Sequence, residues 1–409
     1  FVTVIMIPIT TTARIVKIVR FAHAREGIVR IRFLERQLTP MQFIKCTREA
    51  LLKPLQTVGG IVEGRQTLPI LANVLIQKEK DKVSFTTTDL EIQIRTTADV
   101  GTGDEDCKTS LPAAKLLALL AALPGASTEV ALNAEERKVV LSAANSRFSL
   151  SQLPAEDYPE LNTSEMSTSF KVPAQNLKHL LQMVHFSMAQ QDIRYYLNGM
   201  LLVVQNKKVR AVATDGHRLA CCDDNSEIEF DGSIEAILPR KTVQQLMKLL
   251  PDTDAEVLVE IGKSQARFVF GDIDFLTKLV EGKFPDYNRV IPQNNDKTFL
   301  VNREELIGAL RRAAILANEK FKGLRWIITP GCLKVQSANS EMEEAEEQIA
   351  INYDGPDLDV GFNVVYLLDV LGNLKNNEVR FSLSNAQGAT LLTMPDSELF
   401  RYVLMPMRI

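Results

Sequence analysis

The residues of this chain best suited to acid–base chemistry lie together in the segment ATDGHR, which contains Asp215, His217 and Arg218. A histidine beside an aspartate can act as a general acid or base. A lone histidine in a turn is more often structural, however, and the chain has only four histidines. It also contains no GxxxxGK[ST] phosphate-binding loop, no GxGxxG pattern and no nucleophile elbow. An acid–base enzyme using ATDGHR therefore remains an alternative hypothesis, although no feature of the chain requires catalysis.

Cysteine spacing and net charge exclude further classes of protein. The five cysteines contain no CxxC pair, so we expect neither a disulfide framework nor a zinc site, and a reducing, cytoplasmic location is favoured. The formal net charge of −4 argues against a sequence-specific DNA-binding protein, which should carry a basic recognition element and a marked positive balance. A local basic surface is still compatible with this charge.

The first forty residues differ in composition from the rest of the chain. Their basic residues outnumber the acidic Glu26 and Glu35 and are Arg14, Lys17, Arg20, Arg25, Arg30, Arg32 and Arg36. We expect residues 1–40 to be a targeting segment, a disordered arm, or sequence upstream of a true start at Met41. The apolar opening FVTVIMIPI is too short to span a bilayer, and no other stretch approaches a membrane span.

One unit of strand, helix, loop and strand occurs three times. In its central copy, residues 169–201, one helical face is formed by Leu177, Leu180, Leu181, Val184 and Met188. Similar stretches begin at residues 42 and 298. The phenylalanines of the three copies are spaced 127 and 129 residues apart and are Phe43, Phe170 and Phe299. The chain is therefore predicted to contain three repeated domains.

Each repeat divides again into two halves. Further helix starts occur at residues 110–125, 237–252 and 361–378, and strands of alternating polarity follow each helix. Such alternation indicates antiparallel sheets with one buried face. The predicted fold class is α+β, with an extension at 1–40 and domains at 41–165, 166–293 and 294–409. Turn-rich linkers are expected at 151–167 and 283–297.

Two such chains could form a ring. A domain of about 125 residues has a diameter of roughly 35 Å, so six of them in a ring leave an opening of about that width, which admits a DNA duplex. Basic residues on or near the polar helix faces could line it and are Lys115, Lys178, Arg240, Lys241, Lys248, Arg311, Arg312 and Lys375. The same residues are compatible with an ordinary solvated surface.

From Met41 to Ile409 the chain resembles the bacterial DNA polymerase III β subunit family, the sliding clamps. The segments that carry the resemblance occur in order across all three repeats and are LLKPLQ, RQTLPIL, SRFSLSQLP, FSMAQQDIRYYLNGM, ATDGHRLA, KFPDYNRVIP, RRAAILANEKFKG, FNVVYLLDVL and MPMRI. The resemblance covers about nine tenths of the chain and leaves out the first forty residues.

The resemblance implies a head-to-tail homodimeric ring with helices around the hole and sheets outside. Its implied function is that of a DNA sliding clamp, a non-catalytic processivity factor of the DNA polymerase III holoenzyme. The implied partners are double-stranded DNA, encircled without sequence preference, a second copy of the chain, the polymerase III catalytic subunit, an ATP-driven clamp loader, and other polymerases and repair proteins. Partner proteins would bind through peptides of the Gln-Leu…Leu-Phe type. No membrane, metal or cofactor is implied.

Six positions match the family's DNA-facing loops and channel lining. They are Arg65, Gln191, Arg194, Tyr195, Arg240 and Lys241. Their implied role is sequence-independent contact with phosphates, which lets a ring slide because no base is read. The helix PAAKLLALLAAL has fewer basic residues than the family pattern, so the first repeat is expected to contribute less to the lining.

The resemblance also implies a peptide-binding pocket between the second and third domains. The matching positions are Leu197, Thr214, Gly216, His217, Arg218, Leu219, Pro285, Arg289, Val290, Asn363, Tyr366, Val403, Met405, Pro406, Met407 and Arg408. Its apolar side chains would form a groove, and its arginines and backbone would fix an extended peptide end. Methionine suits a groove with many partners because its flexible thioether repacks. Nearby Gln387, Ala389 and Thr390 depart from better-known members.

The implied dimer seam brings Phe148 and Leu150 of one chain against Ile315 and Leu316 of the other. Arg147 would face an acidic run across the seam, which consists of Glu341, Glu343, Glu344, Glu346 and Glu347. Exposed ion pairs contribute little, so the four apolar residues are expected to hold the seam. The acidic run is equally compatible with a solvated strand edge.

Overall fold

One order of elements occurs three times along the described chain. The structure is a computed structural model that describes residues 41–64, 68–163, 165–224, 227–230 and 232–408. In each repeat a strand, a helix and three strands are followed by another strand, helix and three strands. The predicted α+β class and the division of each repeat into two similar halves are confirmed.

The elements of the three repeats are as follows. The first repeat contains β1 (Met41–Thr47), α1 (Arg48–Gly59), β2 (Asn73–Glu79), β3 (Lys82–Thr88), β4 (Ile92–Ala98), β5 (Cys107–Pro112), α2 (Ala113–Ala122), β6 (Glu129–Ala134), β7 (Lys138–Ala143) and β8 (Ser146–Ser151). The second contains β9 (Met166–Pro173), α3 (Ala174–Val184), β10 (Gly199–Gln205), β11 (Lys208–Thr214), β12 (Arg218–Asp223), β13 (Ser233–Pro239), α4 (Arg240–Leu249), β14 (Glu256–Gly262), β15 (Gln265–Phe270) and β16 (Ile273–Lys278). The third contains β17 (Lys297–Asn302), α5 (Arg303–Ile315), β18 (Gly323–Thr329), β19 (Cys332–Ala338), β20 (Glu344–Ala350), β21 (Leu358–Asn363), α6 (Val364–Asn373), β22 (Glu378–Leu383), β23 (Thr390–Met394) and β24 (Ser397–Leu404).

The apolar face predicted for the central helix is buried, but the helix is shorter than its pattern. Leu177, Leu180 and Leu181 all lie in the core. The α-helix ends at Val184, whereas the spacing extended it to Met188. A 3-10 turn, His185–Ser187, lies between Val184 and Met188. Met188 is nevertheless buried in the core, as the helical spacing predicts.

The two halves of each repeat exchange their first strands. In the first repeat β1 pairs with β6, and β5 pairs with β2. The second repeat has the pairs β9·β14 and β13·β10, and the third has β17·β22 and β21·β18. Every pairing is antiparallel. Each repeat therefore contains two four-stranded sheets, which we call half-sheets. Each half-sheet consists of three consecutive strands of one half and the first strand of the other half, and the last of the three consecutive strands lies at its edge.

Two joins between repeats merge four of these half-sheets into two eight-stranded sheets. At the 1–2 junction β4 pairs with β16, and at the 2–3 junction β12 pairs with β24. The resulting strand orders are β5-β2-β3-β4-β16-β15-β14-β9 and β13-β10-β11-β12-β24-β23-β22-β17. The sheets β1-β6-β7-β8 and β20-β19-β18-β21 keep four strands. The last strands β8 and β20 therefore have no partner on their outer side within the described chain.

The helices and the linkers cover opposite faces of the sheets. The main core contains alternate strand residues such as Leu202 and Val204, together with the buried helix faces. The intervening residues Leu201 and Val203 belong to a separate cluster that the 283–297 linker covers. None of the helices in the described ranges is long and apolar enough to cross a membrane.

Candidate functional site

The ATDGHR segment forms the tight turn between β11 and β12. The Thr214 hydroxyl donates to the Arg218 carbonyl oxygen (2.6 Å) and accepts from Gly216 N (3.1 Å). Asp215 Oδ1 accepts from the backbone nitrogens of His217 (2.9 Å) and Arg218 (3.0 Å). Gly216 has a φ of +90°, a conformation that glycine adopts without steric cost. Threonine, aspartate and glycine thus each have a structural task.

The same turn occurs between β3 and β4 of the first repeat. The Thr88 hydroxyl donates to the Ile92 carbonyl oxygen (2.8 Å) and accepts from Leu90 N (3.1 Å). Asp89 Oδ1 accepts from Glu91 N (3.0 Å) and Ile92 N (2.7 Å). Glu91 and Ile92 take the places of the histidine and the arginine. The turn therefore forms without either residue, and acid–base catalysis is not needed to explain it.

Arg218 links the second repeat to the third. Its guanidinium donates from Nη1 to Asp369 Oδ2 on α6 (2.6 Å), from Nη2 to the Phe186 carbonyl oxygen (2.6 Å) and from Nε to Asp215 (3.1 Å). It also lies over the ring of Tyr366, 4.3 Å from the centroid. The side chain is only 9% exposed. Burial acts to lower the pKa of this arginine, but the surrounding acidic groups outweigh it and raise the pKa above the usual value.

The candidate pocket residues meet at the 2–3 junction. Leu219 of β12 lies opposite Val403 of β24, and both are buried in the cluster beneath the 283–297 linker. Thr214, which pairs with Leu219 in the sheet, is buried as well, and so is Leu197. The pocket therefore has a closed apolar base on the outer face of the sheet.

The rim of this base is exposed. Val290 of the linker is 42% exposed and Met405 is 43% exposed. Met405 N donates to the His217 carbonyl oxygen (3.0 Å), and Met407 N donates to the Gly361 carbonyl oxygen (2.8 Å), so the C-terminal segment bridges both repeats. The remaining rim candidates are exposed or half-buried and are Gly216, Pro285, Arg289, Asn363, Tyr366, Pro406 and Arg408. We call this base and rim the groove.

A polar cavity of ≈ 600 Å³ lies beside the turn and is lined by two of the predicted DNA contacts, Arg194 and Arg240. Arg194 binds Asp192 through two hydrogen bonds of 3.0 and 2.8 Å. Arg240 donates to the Met188 carbonyl oxygen (2.9 Å), and burial together with nearby Arg218 lowers its pKa. Both arginines are thus held at this cavity rather than projecting freely.

The remaining predicted DNA contacts differ in accessibility. Gln191 and Tyr195 are exposed on the loop that follows the 3-10 turn after α3. Arg65 lies outside the described residues. Lys241 donates to Glu63 (2.6 Å) and to Asp89, both of the first repeat. Burial acts to lower the pKa of Lys241, but these carboxylates raise it. Lys241 is therefore the least available of the described candidates for a phosphate.

The predicted seam residues lie at the two ends of the chain's sheet arrangement. Ile315 ends α5 and is 78% exposed, and Leu316 and Phe148 are half-buried. Leu150 is only 6% exposed because it already packs in its own repeat. It therefore has little area left for a seam. Arg147 is exposed on β8 and contacts Glu135 at 3.1 Å.

The acidic run along β20 is partly paired within the third repeat. Glu347 accepts two hydrogen bonds of 2.7 Å from Arg312, and Glu346 contacts Lys334 at 3.1 Å. Glu343 accepts from the Asn339 side chain (2.6 Å). Glu341, Glu343 and Glu344 are all exposed. The outer part of this run is the part that could face another chain.

No group of histidine, cysteine, aspartate and glutamate within the described ranges could hold a metal ion. All five cysteines have free thiols. Burial raises the pKa of Cys221 to about 11 and that of Cys222 to about 12, which disfavours the reactive thiolate. Neither cysteine has the properties of a nucleophile.

Sequence reasoning missed the two links between repeats. Asp369 is not among the predicted site residues, and Lys241 is predicted to contact DNA, whereas the structure pairs it with Asp89 and Glu63. A signal was present, because TTDLEI in the first repeat has the same length and leading Thr-Asp as ATDGHR in the second. Aligning the repeats would have indicated that this turn belongs to the junctions.

Comparison with known sequences gives a consistent result for all three repeats. Sequence models of the DNA polymerase III beta subunit match as N-terminal domain at residues 41–162, central domain at 171–286 and C-terminal domain at 288–408. The beta sliding clamp of Pseudomonas aeruginosa is 44% identical over 362 residues, which cover 88% of this chain and 98% of that protein. The beta sliding clamp of Escherichia coli is 42% identical over the same length and coverage.

Solved structures agree with the sequence comparison. The crystal structure of a DNA polymerase sliding clamp from Pseudomonas aeruginosa superposes with a TM-score of 0.87 at 43% identity, covering 90% of this chain and 100% of the other. A polymerase III beta structure from Caulobacter crescentus gives a TM-score of 0.85 at 34% identity, with the same coverage. The likeness thus extends over nearly all of the described residues.

Proposed function

The chain belongs to the DNA polymerase III beta subunit family, the DNA sliding clamps, and from this premise we propose that it closes around duplex DNA as a head-to-tail homodimer. In this role it is a non-catalytic processivity factor. It tethers the polymerase III catalytic subunit, and other polymerases and repair proteins, through the groove at the 2–3 junction. Domains at 41–165, 166–293 and 294–409 form the body of each protomer.

The rule by which the repeats join is the observation that carries this proposal. The last strand of the first half of one repeat pairs with the last strand of the second half of the next, as β4·β16 and β12·β24. The strands left over are β20, from the first half of the third repeat, and β8, from the second half of the first. The same rule joins β20 of one chain to β8 of another. Two such 3–1 junctions close a ring of six domains.

Exposed apolar area favours this seam. Ile315 is the most exposed of the apolar seam candidates, and a solvated isoleucine at a helix end gains free energy when a partner covers it. Arg147 is exposed on β8, Glu344 is exposed at the start of β20, and Glu343 is exposed just before that strand. These charges favour the correct pairing of the two edges, while the apolar residues supply most of the affinity.

DNA would be held by enclosure rather than by tight contact. The chain has a net charge of −4, and within the described residues Lys241, Arg194 and Arg312 are already paired with carboxylates. Few phosphates are therefore neutralised, and free duplex should bind weakly. A closed ring leaves DNA only by opening or by sliding off an end. An ATP-driven clamp loader is needed to open it.

A retention assay tests enclosure directly. The protein is loaded by an ATP-driven clamp loader onto a nicked circular plasmid and then washed at a salt concentration that strips ordinary non-specific binders. We expect retention on the circle, release after a single cut, and retention again when the ends of the cut plasmid are blocked by bound protein. Retention on the linear product with open ends would contradict the proposal.

The predicted DNA contacts can be separated from enclosure in the same assay. Arg65→Ala combined with Gln191→Ala should reduce the yield of loading, because these side chains are proposed to contact phosphates while the ring closes. Once loaded, the variant should remain on the circle as long as the wild type does. A variant that loads normally but is lost in the salt wash would show that contact holds the DNA.

A further inference from the structure

We propose that Asp369 is a positioning residue for the groove: its ion pair with Arg218 holds the second and third repeats in the register that peptide binding requires. The inference rests on the proposed function, because it assigns a further residue to the proposed peptide site. Asp369 is not among the residues predicted to form the groove. Its effect would act through Arg218 and α6.

The contacts of Arg218 join three parts of the junction. Its backbone lies in β12, opposite Leu404 of β24. Its guanidinium reaches Asp369 and covers the ring of Tyr366, both on α6. The Tyr402 hydroxyl on β24 then donates to the Tyr366 carbonyl oxygen (3.0 Å). The arginine, the helix and the joined strand thus form one closed set of contacts.

These contacts fix the residues on either side of the groove. His217 and Leu219 directly flank Arg218 in sequence, and His217 accepts the backbone hydrogen bond of Met405. Tyr366 and the helix cap Asn363 belong to the opposite wall. A shift of α6 away from β12 therefore changes the width of the groove without altering any atom that lines it.

The 1–2 junction shows that the fold does not itself require this ion pair. Ile92 takes the place of Arg218 in the equivalent turn. Gln245, the sixth residue of α4, takes the place of Asp369, the sixth residue of α6, and donates to the Gly60 carbonyl oxygen (3.0 Å). The arginine–aspartate pair thus occurs at the junction that carries the groove and is absent from the described equivalent.

Loss of the Asp369 charge has a defined consequence. Arg218 is nearly buried, so removing one carboxylate leaves part of its guanidinium without a charged partner and weakens the hold on α6. If the register of the junction and peptide binding are coupled, the coupling is reciprocal. A bound peptide must then protect the β12·β24 hydrogen bonds from opening.

The experiment uses the full chain and a fluorescein-labelled peptide of the Gln-Leu…Leu-Phe type, with binding measured by anisotropy. Asp369→Asn should bind at least tenfold more weakly than the wild type, and Asp369→Glu, which restores the carboxylate, should recover to within threefold. The matched control is Gln245→Ala at the equivalent position of the 1–2 junction, which should bind within twofold of the wild type.

Hydrogen exchange supplies a second readout that a purely structural role would not move. In the wild type, bound peptide should slow exchange of the β12·β24 amides at least fivefold and leave the β4·β16 amides unchanged. In Asp369→Asn, saturating peptide should no longer slow exchange of the β12·β24 amides.

Unchanged affinity of Asp369→Asn, or weakening by Gln245→Ala to the same degree, would overturn the inference. A wild type that binds no peptide would refute the proposed groove itself and the inference with it. If Asp369→Asn does not melt cooperatively, Asp369→Glu decides in its place: peptide protection of the β12·β24 amides close to that of the wild type supports the inference, and loss of this protection in the folded Asp369→Glu variant would overturn it.

Discussion

The 1–2 and 2–3 junctions are built alike, yet within the described residues different contacts hold their linkers to the sheets. In both, two half-sheets join edge to edge and a linker with a buried tyrosine crosses the outer face. At the 1–2 junction the Gln93 side chain accepts a hydrogen bond from Leu161 N of the linker (2.8 Å). At the 2–3 junction the equivalent position is Leu219, which has no polar group to hold the linker. We propose that this difference between a polar and an apolar residue favours a binding surface at the 2–3 junction.

The tyrosines show the same difference. The Tyr158 hydroxyl donates to the carbonyl oxygens of Asn73 (3.2 Å) and Thr86 (3.3 Å), so its linker is fastened to the sheet backbone. The Tyr287 hydroxyl accepts from Arg210 (3.2 Å), a side chain that is itself partly exposed. The second linker is instead fastened to the sheet backbone by Asn295, whose side chain donates to the carbonyl oxygens of Ser382 (2.8 Å) and Ala389 (3.0 Å).

The largest effect is expected at the 3–1 junction between chains, which completes the comparison. Burying an isoleucine or leucine fully contributes about 1.5–3 kcal/mol. Ile315→Ala combined with Leu316→Ala should therefore cost roughly 2–5 kcal/mol at each seam, the lower figure applying because Leu316 is already half-buried. We expect a folded monomer by sedimentation. Ile193→Ala, which alters another highly exposed isoleucine, should remain dimeric, and a dimeric double variant would place the seam elsewhere.

Removal of the groove wall should abolish peptide binding without opening the ring. Deleting residues 405–409 removes exposed Met405 and the strand-like contact of Met407 with Gly361. Affinity for a Gln-Leu…Leu-Phe peptide should fall more than a hundredfold, while the mass of the dimer stays the same.

His217→Ala should weaken binding only slightly, because this side chain is solvent-exposed. A hydrolase or transferase activity lost in His217→Ala would instead favour the acid–base alternative.

Exchanging the apolar residue of the 2–3 junction for the polar residue of the 1–2 junction tests the comparison itself. Leu219→Gln places the polar residue of the 1–2 junction into the base of the groove. A buried amide without full hydrogen bonding costs about 1–3 kcal/mol, so both stability and the apolar contact with peptide should decrease. We expect at least a tenfold loss of peptide affinity by anisotropy. The reciprocal variant Gln93→Leu should leave affinity unchanged, and equal losses in both would refute the distinction.

The smallest effect concerns the ion pair that closes the 1–2 junction. Because the folded pKa of Lys241 is raised above the usual 10.5, its stabilising contribution is fully present below that value and is lost as the pH rises through the folded pKa. The pair is partly exposed, so the contribution is about 1 kcal/mol or less. The difference in melting temperature between wild type and Lys241→Met should therefore stay constant between about pH 7 and 9. A difference that shrinks within this range would show that the carboxylates do not hold the lysine charged.

Much of the fold could be predicted from local pattern. Helix periodicity around Leu177, alternating strands, and the spacing of Phe43, Phe170 and Phe299 indicated three repeats of two halves, and these features are present. The predicted site residues of the groove also meet at one junction. What could not be predicted was which contacts those residues already make. Leu150 lies in its own core, and Lys241 binds Asp89 across a junction that no local pattern reveals.

The sequence by itself determined the units: their periodicity, their number and the positions of their polar and apolar faces, because these depend on neighbours within a few residues. The tertiary structure decided how the units are joined. Exchange of β1 and β5, the pairing of β4 with β16, and the reach of Arg218 to Asp369 connect residues 29 to 185 positions apart. Many antiparallel pairings of such amphipathic strands would bury similar area, so only the packing of the whole chain selects the one that leaves β8 and β20 free to meet a second copy.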